Sequence, residues 1–275
     1  MDWVVETDLT AYGKRVLPWL EREPVHNSVP ATVLMTRLDG TVEPVDVWTA
    51  WLPGPDGEVA GVALRTPPRG MLMTALPAGA AAALAAIATD GITAATGPTG
   101  EVGDFCRAYA ARTGGRAVRE VTEQLYRLDV LTPPPPVPGR LRPMVAYEVD
   151  LLVRWLADFT AETHAAFESG ADVAARGIAQ GRRMVWEAGG EPVCLVGFNP
   201  PVGRVPRIGP VWTPREHRRR GYAAAATAAT CRLLLDGGAA AVALFADDAN
   251  PTAVGVYTRL GFRPVTAQED WLLEY

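Results

Sequence analysis

Between Tyr147 and Thr163 the apolar residues Leu151, Leu152, Trp155, Leu156 and Phe159 recur three and four positions apart, which predicts a helix with one buried stripe. A short strand precedes it at 140–144, and a second helix covers 171–179. Apolar runs at 183–187 and 192–198 flank Gly189-Gly190 and read as a hairpin. A strand at 207–212 is interrupted by Gly209-Pro210, and a helix at 222–235 ends before Gly237-Gly238. A buried strand at 240–246, a helix at 250–260 and a closing strand at 271–275 complete this half.

The first half carries weaker periodicity. It predicts a helix at 8–21 despite Pro18, then strands at 31–37, 45–51, 58–64 and 71–75. An alanine-rich helix at 78–88, a strand at 92–96, a helix at 101–112 and strands at 117–121 and 124–131 follow. The later elements repeat the order of the other half, so the chain reads as two related units. Between them, Thr132-Pro133-Pro134-Pro135-Pro136-Val137-Pro138 forms neither helix nor central strand, because proline fixes φ and lacks the N–H. The expected organisation is a first domain at 1–131, a proline-rich linker at 132–138 and a second domain at 139–275.

Composition narrows the function. A net charge of −5 argues against nucleic-acid binding by broad electrostatics, although Arg218-Arg219-Arg220 form a local basic run. Cys106, Cys194 and Cys231 follow no metal-ligand spacing, and His26, His164 and His217 form no triad or metal pattern, so no metal is expected. The amino terminus lacks a charged and apolar leader, and no run is long enough to span a bilayer. A cytoplasmic protein without membrane partners is expected.

The chemistry concentrates where the strand ending at Val211-Trp212-Thr213 passes through a polar turn into a helix that begins at Gly221. A helix start has unpaired N–H groups and a partial positive charge, which suit an anion. Gly221 lets a diphosphate approach the backbone, Ala223 after Tyr222 keeps the helix face low, and Arg218, Arg219 and Arg220 add charge. The spacing matches neither a dinucleotide fingerprint nor a P-loop. An arginine-rich surface turn remains the plain alternative.

About 30 residues on lies a helix with clear punctuation. Asn250 suits its N-cap, Pro251 its first position and Gly261 its left-handed end, with Asn250, Ala253 and Tyr257 on one face. Arg218-x-x-Gly221-x-Ala223 resembles the pyrophosphate loop of GNAT acetyltransferases. Asn250-x-x-Ala253-x-x-x-Tyr257-x-x-x-Gly261-Phe262 is similar to that family's second cofactor segment. The detailed match covers 208–264, and the resemblance of fold extends back to Gly139.

The resemblance implies a mixed, mostly antiparallel sheet flanked by helices, and two such halves in tandem. It implies acetyl-CoA as co-substrate. Backbone groups of Val211, Trp212 and Thr213 would meet its pantetheine arm, Arg218 to Ala223 its diphosphate, and Asn250 its other side. A bulge at Gly209-Pro210 would splay the strand. A primary amine, free or on a larger acceptor, would attack the thioester directly, and Tyr257 would act as general acid toward the leaving thiolate. The base is unassigned among Glu162, Glu168, Glu187, His164 and a water chain. No Gln/Arg-x-x-Gly-x-Gly/Ala pattern stands at Leu76-Pro77-Ala78-Gly79-Ala80, so the first half resembles a degenerate unit whose role is structural: closing a sheet, walling the acceptor pocket or providing a homodimer face. The alternatives are a non-catalytic acetyl-CoA sensor and an aminoglycoside-type resistance acetyltransferase. Acceptor choice is expected from Phe159 to Arg182.

Overall fold

The computed structural model describes residues 1–40, 46–163 and 170–275. Contacts divide the chain into two compact units, one of Met1–Leu125, Ala246–Ala249 and Pro264–Tyr275, the other of Tyr126–Phe245 and Asn250–Arg263.

The first half runs β1 (Val4–Val5), α1 (Leu9–Leu20), α2 (Ser28–Leu38), β2 (Trp48–Pro53), β3 (Val59–Arg65), β4 (Met71–Met73), α3 (Ala80–Ile87), β5 (Ala94–Pro98), α4 (Glu101–Thr113) and β6 (Arg116–Leu128). In the sheet of this unit β1, β2, β3, β4 and β5 lie in sequence order. The chain's last strand, β12 (Arg263–Glu274), comes next, followed by β6. β12 runs antiparallel to β5 from Gln268↔Pro98 to Leu272↔Ala94, and Leu273 joins the core formed by Met71, Leu84, Ile92, Phe105 and Tyr109. The closing strand predicted for the second half thus completes the first unit.

The second half runs β7 (Arg140–Pro143), α5 (Val149–Thr163), α6 (Ala171–Ala179), β8 (Arg183–Ala188), β9 (Glu191–Phe198), β10 (Arg207–Trp212), α7 (Tyr222–Asp236), β11 (Val242–Asp247) and α8 (Pro251–Arg259) before β12. Its strands order as β7-β8-β9-β10-β11, antiparallel except for β10 and β11. Leu152, Trp155 and Leu156 of α5 bury their stripe against Ala174, Ile178, Val185, Leu195 and Trp212. The fold is the mixed, mostly antiparallel α/β sheet with flanking helices that the sequence predicts.

Three expectations are corrected. Residues 31–37 belong to helix α2, not a strand: Pro30 sits in its first turn, and Thr32 and Thr36 donate to the carbonyls of Ser28 and Thr32. The strands at 117–121 and 124–131 are one strand, β6. β12 begins at Arg263 rather than Trp271, its polar portion held by bonds such as Gln124 Nε2 to Thr266 O at 2.6 Å. With α2 a helix and β1 present, both halves show the same order: strand, two helices, three strands, helix, strand, helix, strand.

The proline-rich segment at 131–137 is neither helix nor strand. It is tied down at both ends: Thr132 N donates to Leu260 O at 2.9 Å, and Trp186 Nε1 donates to Pro138 O at 3.0 Å.

Candidate active site

β10 changes partners part-way along its length. It pairs with β9 at Ile208↔Phe198 and, after a bulge, at Val211↔Val196 and Trp212↔Leu195. Against β11 it pairs only at Arg207↔Ala243 and Ile208↔Leu244. The bulge is Gly209-Pro210, where proline offers no N–H to a ladder. Beyond it, β10 stays with β9 and parts from β11, which leaves the Val211–Thr213 edge open toward β11.

The chain then passes a 3-10 turn at Arg215–His217 and enters α7 through Gly221. Gly221 has φ 82 and ψ 0, left-handed geometry that glycine adopts without penalty. No side chain caps α7 and no acid stands in its first turn, so the positive end of a 15-residue helix meets no protein carboxylate of its own. This start fits a diphosphate. A Cβ at Gly221 would lie 2.9 Å from Val137 Cγ1.

The three arginines divide their work. Arg218 is occupied within the protein: Nε donates to Thr213 O at 2.8 Å, Nη2 pairs with Glu162 at 2.9 Å, and the guanidinium lies 4.8 Å over the Trp212 ring. It braces the loop against β10 and α5. Arg219 and Arg220 are exposed, with Arg219 at φ 61. Trp212 is a core residue, edge-on to Phe159 at 6.1 Å.

Tyr257 is 9% exposed and packs edge-on against Phe262 at 5.9 Å. Burial pushes its phenol well above the usual tyrosine range, and the neighbouring Cys194 and Cys231 thiols add to the rise. Cys194 also accepts from Thr213 Oγ1 at 3.3 Å, so the end of β10 is joined through Cys194 to the surroundings of Tyr257. Nothing in the cysteine spacing announced that link. Asn250 caps α8 through Oδ1, which accepts from Ala253 N at 3.0 Å. Its side-chain oxygen is therefore already engaged.

The candidate bases are engaged as well. Burial raises the Glu162 carboxyl, but hydrogen bonds from Arg215 and Arg218 outweigh it and hold the group below the usual range. Bonds from Arg142 and Arg140 do the same for Glu187. His164 and Glu168 lie outside the described residues. Among the described residues no group of three or more His, Cys, Asp or Glu side chains is placed to hold a metal ion, and no helix is long and apolar enough to cross a membrane. A cavity of about 600 Å³ in the first unit, lined by Arg107, Arg116, Arg119, Glu269 and Trp271 among others, includes none of the motif residues.

The splayed strand, the left-handed glycine and the buried tyrosine all fall inside one stretch that matches the Acetyltransferase (GNAT) family model, residues 150–262. These residues are a GNAT-family domain. No curated protein sequence matches the chain closely enough to count as a relative. Among solved structures, the chain is similar to a GCN5-related N-acetyltransferase from Sphaerobacter thermophilus, with TM-score 0.62 and 15% identity over 98% of this chain and 94% of that one. It is similar to a GCN5-related N-acetyltransferase from Kribbella flavida, with TM-score 0.55 and 22% identity over 86% and 93%. It also resembles a tandem GNAT protein from the clavulanic acid biosynthesis pathway, with TM-score 0.59 and 16% identity over 99% and 98%. At these identities the likeness is one of fold, and it extends over both halves. The GNAT family is one of acyltransferases that generally use acetyl-CoA.

Proposed function

We propose that the second half binds acetyl-CoA at the start of α7 and transfers the acetyl group to a primary amine. The observation that carries this is the parting of β10 from β11 at Ile208, just ahead of an uncapped helix start at left-handed Gly221. The first-turn N–H groups of α7, beside the exposed Arg219 and Arg220, would hold the diphosphate. Backbone groups of Val211, Trp212 and Thr213 on the open edge would hold the pantetheine arm. Arg218 serves indirectly, by fixing the loop.

The bound thioester supplies an activated acyl group. Tyr257 keeps its proton at neutral pH and donates it, or a hydrogen bond, toward the departing sulfur. Backbone N–H groups at the splay stabilise the negative charge that develops on the acyl oxygen. The two described candidate bases, Glu162 and Glu187, are bound by arginines, so the amine arrives neutral or loses its proton to water. For the same reason Glu162 and Glu187 offer little free negative charge to a polycationic aminoglycoside, which favours a simpler acceptor.

Calorimetry with acetyl-CoA tests the site. Arg219→Ala/Arg220→Ala removes two exposed charges without touching the core and should weaken binding about tenfold, given 1.5–3 kcal/mol for a hydrogen bond to a charged group and partial screening in water. Unchanged affinity in that variant and in Gly221→Ala would remove this site. Acetyl transfer across a panel of primary amines separates an enzyme from a sensor that only binds.

A further inference from the structure

Arg183 opens β8, and its side chain is half-buried with no carboxylate among the described residues to meet it. Its Nε is buried and has no hydrogen-bond partner, and Nη1 donates only to a backbone carbonyl, Arg182 O at 3.0 Å. It makes no ion pair among the described residues. Arg140, Arg142, Arg215 and Arg218 each pair with a glutamate, whereas Arg219 and Arg220 stand exposed to water. Burial pulls the Arg183 guanidinium down to about 10, and Arg182 adds to the fall. A largely desolvated cation without a counter-ion is costly, so its retention asks for a partner that the described residues do not supply.

Its position says where that partner would stand. Arg183 is the register partner of Gly197 on β9, and Gly197 lies opposite the β10 bulge. A Cβ on Gly197 would sit 3.3 Å from Arg183 Nη1, 2.8 Å from Gly209 O and 3.0 Å from Pro210 Cδ. On the helix side, a Cβ on Gly177 of α6 would sit 3.1 Å from Arg183 Nε. Two glycines therefore make room for the guanidinium itself, and the row Arg183, Gly197, Gly209-Pro210 leads across the sheet to the point where β10 parts from β11.

We propose that Arg183 is the acceptor-side anchor of the active site, and that the acceptor is an amine that also carries a carboxylate. This rests on the reading of the second half as an amine acetyltransferase. The planar fork of Arg183 matches a carboxylate in two parallel bonds. The carboxylate would meet the outer, Nη side of the guanidinium and hold the amino group toward the splay. Arg183 is here a specificity residue, with no part in the proton transfers.

The experiment compares amino acids with their carboxamides, which keep the amine and remove the negative charge. Acetyl transfer is measured over matched pairs for the wild type, Arg183→Met and Arg183→Lys. The expected result is a kcat/KM at least about tenfold higher for the acid of a preferred pair, the low end for a hydrogen-bonded charge. The preference should vanish in Arg183→Met while amide turnover persists, and return in part in Arg183→Lys. A merely structural Arg183 would alter the melting temperature without moving the acid-to-amide ratio. No preference in an active wild type, or a preference that survives Arg183→Met, overturns the proposal and leaves acetyl transfer itself standing. If no pair is turned over, calorimetry of the same pairs on the CoA-bound protein decides. Binding of an acid but not its amide, lost in Arg183→Met, supports the anchor, and equal or absent binding overturns it.

Discussion

Gly79 and Gly221 open corresponding helices in the same left-handed conformation, with φ 80 and ψ −10 at the first and φ 82 and ψ 0 at the second. Neither helix has a side-chain cap. The small residue two positions later is also shared, Ala81 and Ala223. The difference lies three positions earlier, where Leu76 stands in the first half and Arg218 in the second. Leu76 is buried with Trp3, Ala80 and Ala81, and a Cβ on Gly61 would be 2.5 Å from it.

An apolar side chain packed at the helix entrance, with no arginine in the loop, should leave the first half without a diphosphate site. Titration of the full chain with acetyl-CoA is expected to give one site. A stoichiometry of two would show that the α3 entrance opens in solution.

Replacing Tyr257 with Phe removes the hydroxyl and keeps the ring against Phe262. The variant should bind acetyl-CoA as the wild type does and lose kcat by ~10²-fold, the low end for general acid catalysis, because a thiolate already leaves fairly well at neutral pH. The raised phenol pKa also means that any alkaline limb below pH 10 comes from another group. Equal single-turnover rates for the two proteins would assign the proton to water.

The three cysteines give a pH prediction. Burial pushes Cys106, Cys194 and Cys231 from 9.0 to about 12. Above pH 9 the unfolded chain releases these protons and the folded chain does not. Stability is therefore unaffected below about pH 9 and falls as pH rises toward 12, by up to about 1.4 kcal/mol per pH unit for each thiol. Urea midpoints at pH 8, 10 and 11 would check this. The thiols should also resist a thiol reagent until the protein is unfolded.

Glu148 and Arg142 form a bidentate pair at 2.9 and 2.8 Å, with Glu148 side chain only 7% exposed. Hydrogen bonds from Arg142 hold the Glu148 carboxyl below its ordinary 4.5, against the effect of burial. Its contribution is present above that value and is lost as pH falls through the folded pKa. Arg142→Met should cost about 3–5 kcal/mol by leaving a buried carboxylate unpaired. Denaturant unfolding measures it, and a loss under 1 kcal/mol would show that water replaces the arginine.

The helix ends and the strand bulge of the candidate site were more legible than the fold around them. Gly221, Ala223, Asn250 and Gly261 mark helix ends, and helix ends are written in single residues. Gly209-Pro210 marked the bulge because proline cannot serve a central ladder. Residues 31–37 misled because Ala, Thr, Val, Leu and Met in one run suit either element. Pro30 in a first turn and the spacing of Ala31, Leu34 and Leu38 were the signals for a helix. β6 and the start of β12 stayed hidden because their pairing residues are polar, and such strands are specified by neighbours rather than by alternation. Arg183 was invisible for a related reason: one arginine among many looks alike until its partners are known. The work of Arg218 as a brace likewise depends on Glu162, 56 positions earlier.

The place of β12 has a consequence for how the molecule comes into being. A chain emerging from the ribosome exposes β5 long before its antiparallel neighbour exists, since that neighbour follows the whole second half. Until then the edge of β5 is unpaired, and the core around Phe105 and Tyr109 lacks Leu273. Such an edge invites pairing with other chains. The first unit therefore cannot mature in order of synthesis, and a break in the chain ahead of β12 would strike the half of the protein that was made first.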